Sequence, residues 1–165
     1  MRDVLVACYA RHDSGKKIAS EIATKLHGKV DAIEDSDKYQ GKLGRFRIFW
    51  DYYIGKRVMI KYHEDPKDYT VVVVVSPVWG GKPPFAVKAY INQNIKEMKH
   101  YGFILYDRKP ITKESKQRFY GIMPKTVAEL TLQNEDIGYE VFHHFLEDFA
   151  DRIRVILDKE EKNGN

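Results

Sequence analysis

Thr70-Val71-Val72-Val73-Val74-Val75-Ser76, followed by Pro77-Val78-Trp79-Gly80-Gly81-Lys82-Pro83-Pro84, decides how the chain is read. Five consecutive valines are stiff at χ1, favour extended backbone and leave no polar face. A strand that is apolar on both faces belongs in a sheet covered on both sides, the setting of a central parallel strand. The chain then changes character at once. Prolines, two glycines and one large aromatic make a loop, and Pro84 can open a helix over about 84–97.

The same unit recurs on either side. Residues 3–9, DVLVACY, form another short apolar run, and the stretch after it carries Ile18, Ile22 and Leu26 at i, i+4 and i+8 with Ala19 and Ala23 beside them. Gly28 ends that helix, with Lys25 and His27 near its negative end. Residues 29–34, KVDAIE, read as a strand nearer the sheet edge, and a helix dense in aromatics (Phe46, Phe49, Trp50, Tyr53) is expected over about 43–54. Downstream, 101–107 and 127–133 are two further strands. Phe142, Phe145, Phe149, Ile153 and Ile156 then make one stripe of a last helix over about 137–160. Five strands alternating with helices call for an α/β three-layer sandwich with a five-stranded, mostly parallel sheet and right-handed crossovers. Residues 1–160 read as one domain and 161–165 as a polar tail that frays. Ligands of such sheets bind beyond the carboxyl ends of the strands, which singles out the loops 10–15, 76–83 and 107–124.

Composition narrows the function classes. With 43% hydrophobic and 32% charged residues in 165, the chain can bury a core without staples. A single cysteine, Cys8, precludes an intramolecular disulfide, argues against a cysteine zinc site and fits a reducing cytoplasm. The opening apolar run is too short for a secretory segment, and no run has the length of a membrane span. The net charge of +4 suits contact with anions or acidic partners, but the basic residues are scattered among acids and make no nucleic-acid stripe. His63 with Glu64 and Asp65, and the pair His143-His144, lack metal-ligand spacing. No Walker sequence, dinucleotide fingerprint or nucleophile elbow occurs, so neither a catalytic side chain nor a metal is assigned.

DYTVVVVVSPVWGGKPP, taken with LVACYARHDSGKKIASEIA, VDAIED and KYQGKLGRFRIFWDYYIGK, resembles the flavodoxin-like proteins that bind FMN, over roughly residues 4–95. The resemblance implies a sheet in the order 2-1-3-4-5 with FMN at the strand ends. The phosphate would rest on the loop Ala10, Arg11, His12, Asp13, Ser14 and Gly15, aided by Lys16. The flavin ring would lie between Pro77, Val78, Trp79, Gly80 and Gly81 and a third loop that begins at Asp107. Tyr106, at the end of its strand, would flank the ring or stand as a buried tyrosine. The implied role is electron transfer or a small flavin-dependent reductase, with the chemistry supplied by the flavin. Its partner would be a redox protein, presenting acidic surfaces to this basic chain, or a small-molecule acceptor.

The chain also departs from the family. Where flavin-binding relatives read Ser-Arg-Thr-Gly-Asn-Thr, this loop lacks hydroxyls at Ala10, His12 and Gly15 and carries Asp13 in place of glycine. The third loop, DRKPITKESKQ, lacks a glycine-rich stretch. One carboxylate about 4 Å from one phosphate charge costs about 4 kcal/mol at an effective dielectric near 20. Arg11, Lys16, Lys17 and the amides of a helix N-terminus oppose that cost. Two readings of the loop therefore stand: a phosphate cradle, or a helix merely capped by Asp13 or Ser14. Trp79 likewise stacks on a planar ring, or packs under its loop or at a subunit interface. The second function class is a flavodoxin-fold protein that has lost FMN and serves as an interaction module, with the aromatic segment 46–53 as its surface.

Overall fold

A computed structural model describes residues 2–9, 13–36, 43–54 and 59–163. In chain order the elements are β1 (Arg2–Cys8), α1 (Asp13–Leu26), β2 (Lys29–Ala32), β3 (Glu34–Asp35), α2 (Gly44–Tyr53), β4 (Ile60–Lys61), β5 (Tyr69–Pro77), α3 (Phe85–Asn94), β6 (His100–Asp107), α4 (Lys113–Tyr120), β7 (Ala128–Gln133) and α5 (Glu140–Asn163). A short 3₁₀ turn, Pro66–Asp68, leads into β5.

The apolar runs form one parallel sheet ordered β2-β1-β5-β6-β7. Counted among themselves these strands run 2-1-3-4-5, the expected order of the flavodoxin-like fold. Every residue of β5 is buried, as its valines require, because β1 and β6 flank it and helices cover both faces. The alternation of a strand divides the core in two. Val4, Val6, Cys8, Val71, Val73 and Val75 face α1 and α5, while Leu5, Ala7, Val72 and Val74 face α3 and α4.

Two local features differ from the sequence reading. The second strand stops at Ala32, and Glu34–Asp35 leaves the main sheet to pair antiparallel with Ile60–Lys61. Asp31 fixes that departure, because its Oδ2 accepts from the backbone N–H of both His63 and Glu64 at 2.8 Å. The region 107–124, expected to be loop, contains α4. Thr112 caps it by accepting from Ser115 N–H at 3.2 Å.

α5 is fastened to α1 by ions. Glu147 accepts from Lys25 Nζ and from Arg154 Nη1 at 2.7 Å, and Arg154 Nη2 donates to the Lys25 carbonyl at 2.9 Å. Lys25 first, then Arg154, pulls the Glu147 carboxyl down to about 2. A pKa depressed on folding adds stability above the unfolded value, 4.5, and loses it as pH falls towards 2. Glu147→Gln is therefore expected to lower the melting temperature at pH 7, with the difference from the parent protein closing between pH 4.5 and 2. Thermal unfolding across that range checks it, and a difference that does not change with pH would contradict it.

Candidate functional site at the carboxyl ends of the central strands

β1 and β5 are neighbours, and the chain leaves them in opposite directions, to β2 on one side and β6 on the other. Their carboxyl ends therefore form the switch point where the two outgoing loops part and leave a crevice. The expected site residues that the structure describes lie on the elements around this edge. Ala10, Arg11 and His12 lie outside the described residues.

α1 begins at Asp13, so this residue is the first of the helix and does not stand before it. Its side chain is exposed and accepts no hydrogen bond among the described residues. Ser14 is half-buried and likewise makes no side-chain bond there. The capping role considered for the pair thus has no bond behind it. The first four amide N–H groups of a helix have no carbonyl acceptor inside it, so this end is a set of donors with a positive dipole. Lys16 is exposed beside it. Lys17 reaches away, its Nζ 2.9 Å from where a Cβ on Gly138 would stand. A carboxylate in water repels an anion at about 4 Å by only about 1 kcal/mol per charge, against the roughly 4 kcal/mol of a half-dry site.

Beneath this turn the packing is tight. A Cβ on Gly15 would stand 2.3 Å from Tyr106 Oη and 2.9 Å from its Cζ, so only glycine fits. Gly15, one of the three positions without a hydroxyl, is thus packed on the hydroxyl of another residue. Tyr106 is 2% exposed on the α1 side of the sheet, the buried strand-end tyrosine of the sequence reading. Its hydroxyl has no hydrogen-bond partner among the described residues. Cys8 donates its thiol to the Gly15 carbonyl at 3.3 Å. Burial pushes the Cys8 thiol up to about 12, tempered by Lys16, so it stays protonated as a small core residue and not a nucleophile.

On the other side of the crevice, Trp79 and Lys82 exchange backbone hydrogen bonds at 2.9 and 3.1 Å around Gly80 and Gly81. Both glycines have positive φ, 55° and 74°, the signature of a type I′ turn, which side chains other than glycine enter only with strain. The turn holds Trp79 42% exposed, its ring 5.7 Å from Tyr9 at 68°. Tyr9 is buried and donates its hydroxyl to Asp35 Oδ2 at 2.9 Å, so the platform behind the tryptophan is itself fixed. Pro77 ends β5, and Val78 is buried with its N–H bonded to the Tyr106 carbonyl at 3.0 Å.

The third expected loop is built otherwise than a glycine-rich clamp. Asp107 closes the end of β6, its Oδ1 accepting from Arg108 N–H at 2.6 Å and its carbonyl from Asn134 N–H at 2.8 Å. α4 then buttresses the tryptophan turn, with Arg118 Nη1 donating to the Gly81 carbonyl at 2.6 Å. The sequence reading did not include Arg118, Tyr9 or Asp35. The close of the first apolar run on a tyrosine was a signal for Tyr9, whereas nothing local marked Arg118. Among the described residues no three His, Cys, Asp or Glu side chains are placed to hold a metal ion, and no helix is long and apolar enough to cross a membrane.

No family model matches the sequence. No curated protein matches it either. Solved structures do resemble the fold. One is a flavoprotein from Lactobacillus acidophilus NCFM in complex with FMN, 16% identical, covering 81% of this chain and 91% of that one, with a TM-score of 0.62. Another is a flavodoxin, WrbA-like protein from Agrobacterium tumefaciens, 12% identical, covering 93% and 98%, with a TM-score of 0.55. A third is an NADH:FMN oxidoreductase in its apo form, 10% identical, covering 93% and 88%, with a TM-score of 0.55. At these identities the likeness is one of fold.

Proposed function

We propose, from the premise that the chain has the flavodoxin-like fold, that this protein binds FMN in the crevice between β1 and β5 and works as an electron carrier or a small flavin-dependent reductase. The observation that carries the proposal is the pairing, at one switch point, of a helix N-terminus where Asp13 and Ser14 make no side-chain bond among the described residues with a half-exposed tryptophan on a double-glycine turn. The residues present suit the two ends of that cofactor. Amides of Asp13, Ser14 and Gly15, with Lys16 beside them, would hold the phosphate, and the exposed Asp13 leaves them room. Trp79 offers an aromatic face to the ring, and Gly80 and Gly81 let backbone approach its edge.

Bound there, FMN would supply the redox chemistry, accepting and passing on electrons. The chain's own residues bind and orient. The helix end fixes the phosphate, and Tyr9 with Asp35 fixes the platform behind Trp79. Arg118 holds the turn at Gly81. A redox partner protein of this basic chain would present an acidic face, and the complex would weaken with salt.

One observation favours the second reading, a module that works without flavin: Phe46, Trp50 and Tyr53 are all exposed along α2, and Leu43 just before it. Titrating the purified protein into FMN separates the two. Quenching of the flavin fluorescence with one-to-one saturation is expected; a colourless protein that leaves the fluorescence unchanged would leave only the interaction module.

A further inference from the structure

The hydroxyl of Tyr106 is a buried polar atom at the site that the fold leaves unused. It lies under the first turn of α1, against Gly15, where a Cβ would stand 2.3 Å away, in a residue that is 2% exposed. It has no hydrogen-bond partner among the described residues, and a buried hydroxyl left unpaired costs free energy. The neighbouring polar group does not satisfy it, because the Cys8 thiol is turned to the Gly15 carbonyl.

We infer that Tyr106 is the side-chain donor of the phosphate site, its hydroxyl meeting an oxygen of the anion seated on the first-turn amides, and that it sets the preference for FMN over the same flavin without phosphate. The inference rests on the FMN reading above. Its physical basis is complementarity: an orphan donor beneath a helix end, where the first amides have no acceptor inside the helix, forms a site for an acceptor, and a phosphate oxygen accepts from both.

The ring is held by the sheet and not by the loop. Tyr106 stands in register with Pro77 on β5 and Leu132 on β7, so its hydroxyl is fixed before any anion arrives. Burial, with Cys8 adding to it, pushes the phenol well above its usual range, which keeps the proton on the oxygen as a donor at neutral and alkaline pH. No proton transfer is involved.

Tyr106→Phe tests this, since it removes the oxygen and keeps the ring. Dissociation constants for FMN and for riboflavin are measured by fluorescence quenching, and melting temperatures of the flavin-free protein with and without inorganic phosphate. The FMN constant is expected to rise by about tenfold, as for loss of a hydrogen bond to a charged group, with riboflavin binding unchanged and the phosphate-induced stabilisation reduced. Failure of the parent protein to bind FMN would overturn the function proposed above and this inference with it. A parent protein that binds FMN, with a variant that binds both flavins as tightly, would overturn the role of Tyr106 alone. Equal weakening for FMN and riboflavin would also overturn it, by making the hydroxyl a packing group.

Discussion

Phe103→Ala is expected to lower the unfolding free energy by about 3–5 kcal/mol, the usual cost of emptying a phenylalanine site in a packed core. Phe103 is fully buried in the middle of β6, on the face that α3 and α4 cover. Its ring lies 5.9 Å from that of Phe119 and 5.6 Å from that of Tyr120, so it is the seat on which α4 rests. The consequence extends to the site. α4 carries Arg118, whose bond to the Gly81 carbonyl steadies the turn under Trp79, so flavin affinity should fall together with stability. Urea unfolding measures the first effect, and Phe103→Leu should recover most of it by refilling the volume. A loss below about 1 kcal/mol would mean that the ring does not anchor α4.

Trp79→Ala should act the other way, sparing the fold and damaging the site. A residue 42% exposed on a turn contributes little to the core, and the turn itself is made by its glycines. Stacking of an aromatic side chain on a heteroaromatic ring is worth about 1–3 kcal/mol by alanine substitution. The FMN dissociation constant should therefore rise by roughly tenfold to a hundredfold, with the melting temperature of the flavin-free protein close to that of the parent. Fluorescence titration decides it: retention at the parent level would exclude Trp79 as the ring's platform.

How much of this was legible in the residues depended on whether the deciding force was local. The valines of β5 announce a central strand because nothing else can be done with such a run, and Ile18, Ile22 and Leu26 declare the face of α1 by their spacing. The order of the sheet came from the resemblance, and the alternation of elements agreed with it. The escape of Glu34–Asp35 to a second small sheet was not legible, because Asp31 enforces it through the backbone of His63 and Glu64, about thirty residues away. α4 was missed for a related reason. Lys113–Tyr120 buries only Ser115 and Phe119, too few apolar positions to show a helical period, although the cap at Thr112 was there to be read.

At the site, sequence assigned Trp79 and the helix end to loops at the carboxyl edge of the sheet but could not weigh Asp13. That question turned on whether the carboxylate points at water, a matter of exposure and not of residue type. Nor could it see that Gly15 is glycine because Tyr106, reaching over from β6 two strands across the sheet from β1, occupies the space.

The central claim is a place, and amide chemical shifts report place. Two-dimensional ¹H–¹⁵N spectra recorded while FMN is added should show the largest displacements at Ser14, Gly15 and Lys16, at Gly80 and Gly81, and at the Trp79 indole, all saturating together. Displacements that spare these groups, or a spectrum that does not change at saturating FMN, would contradict it.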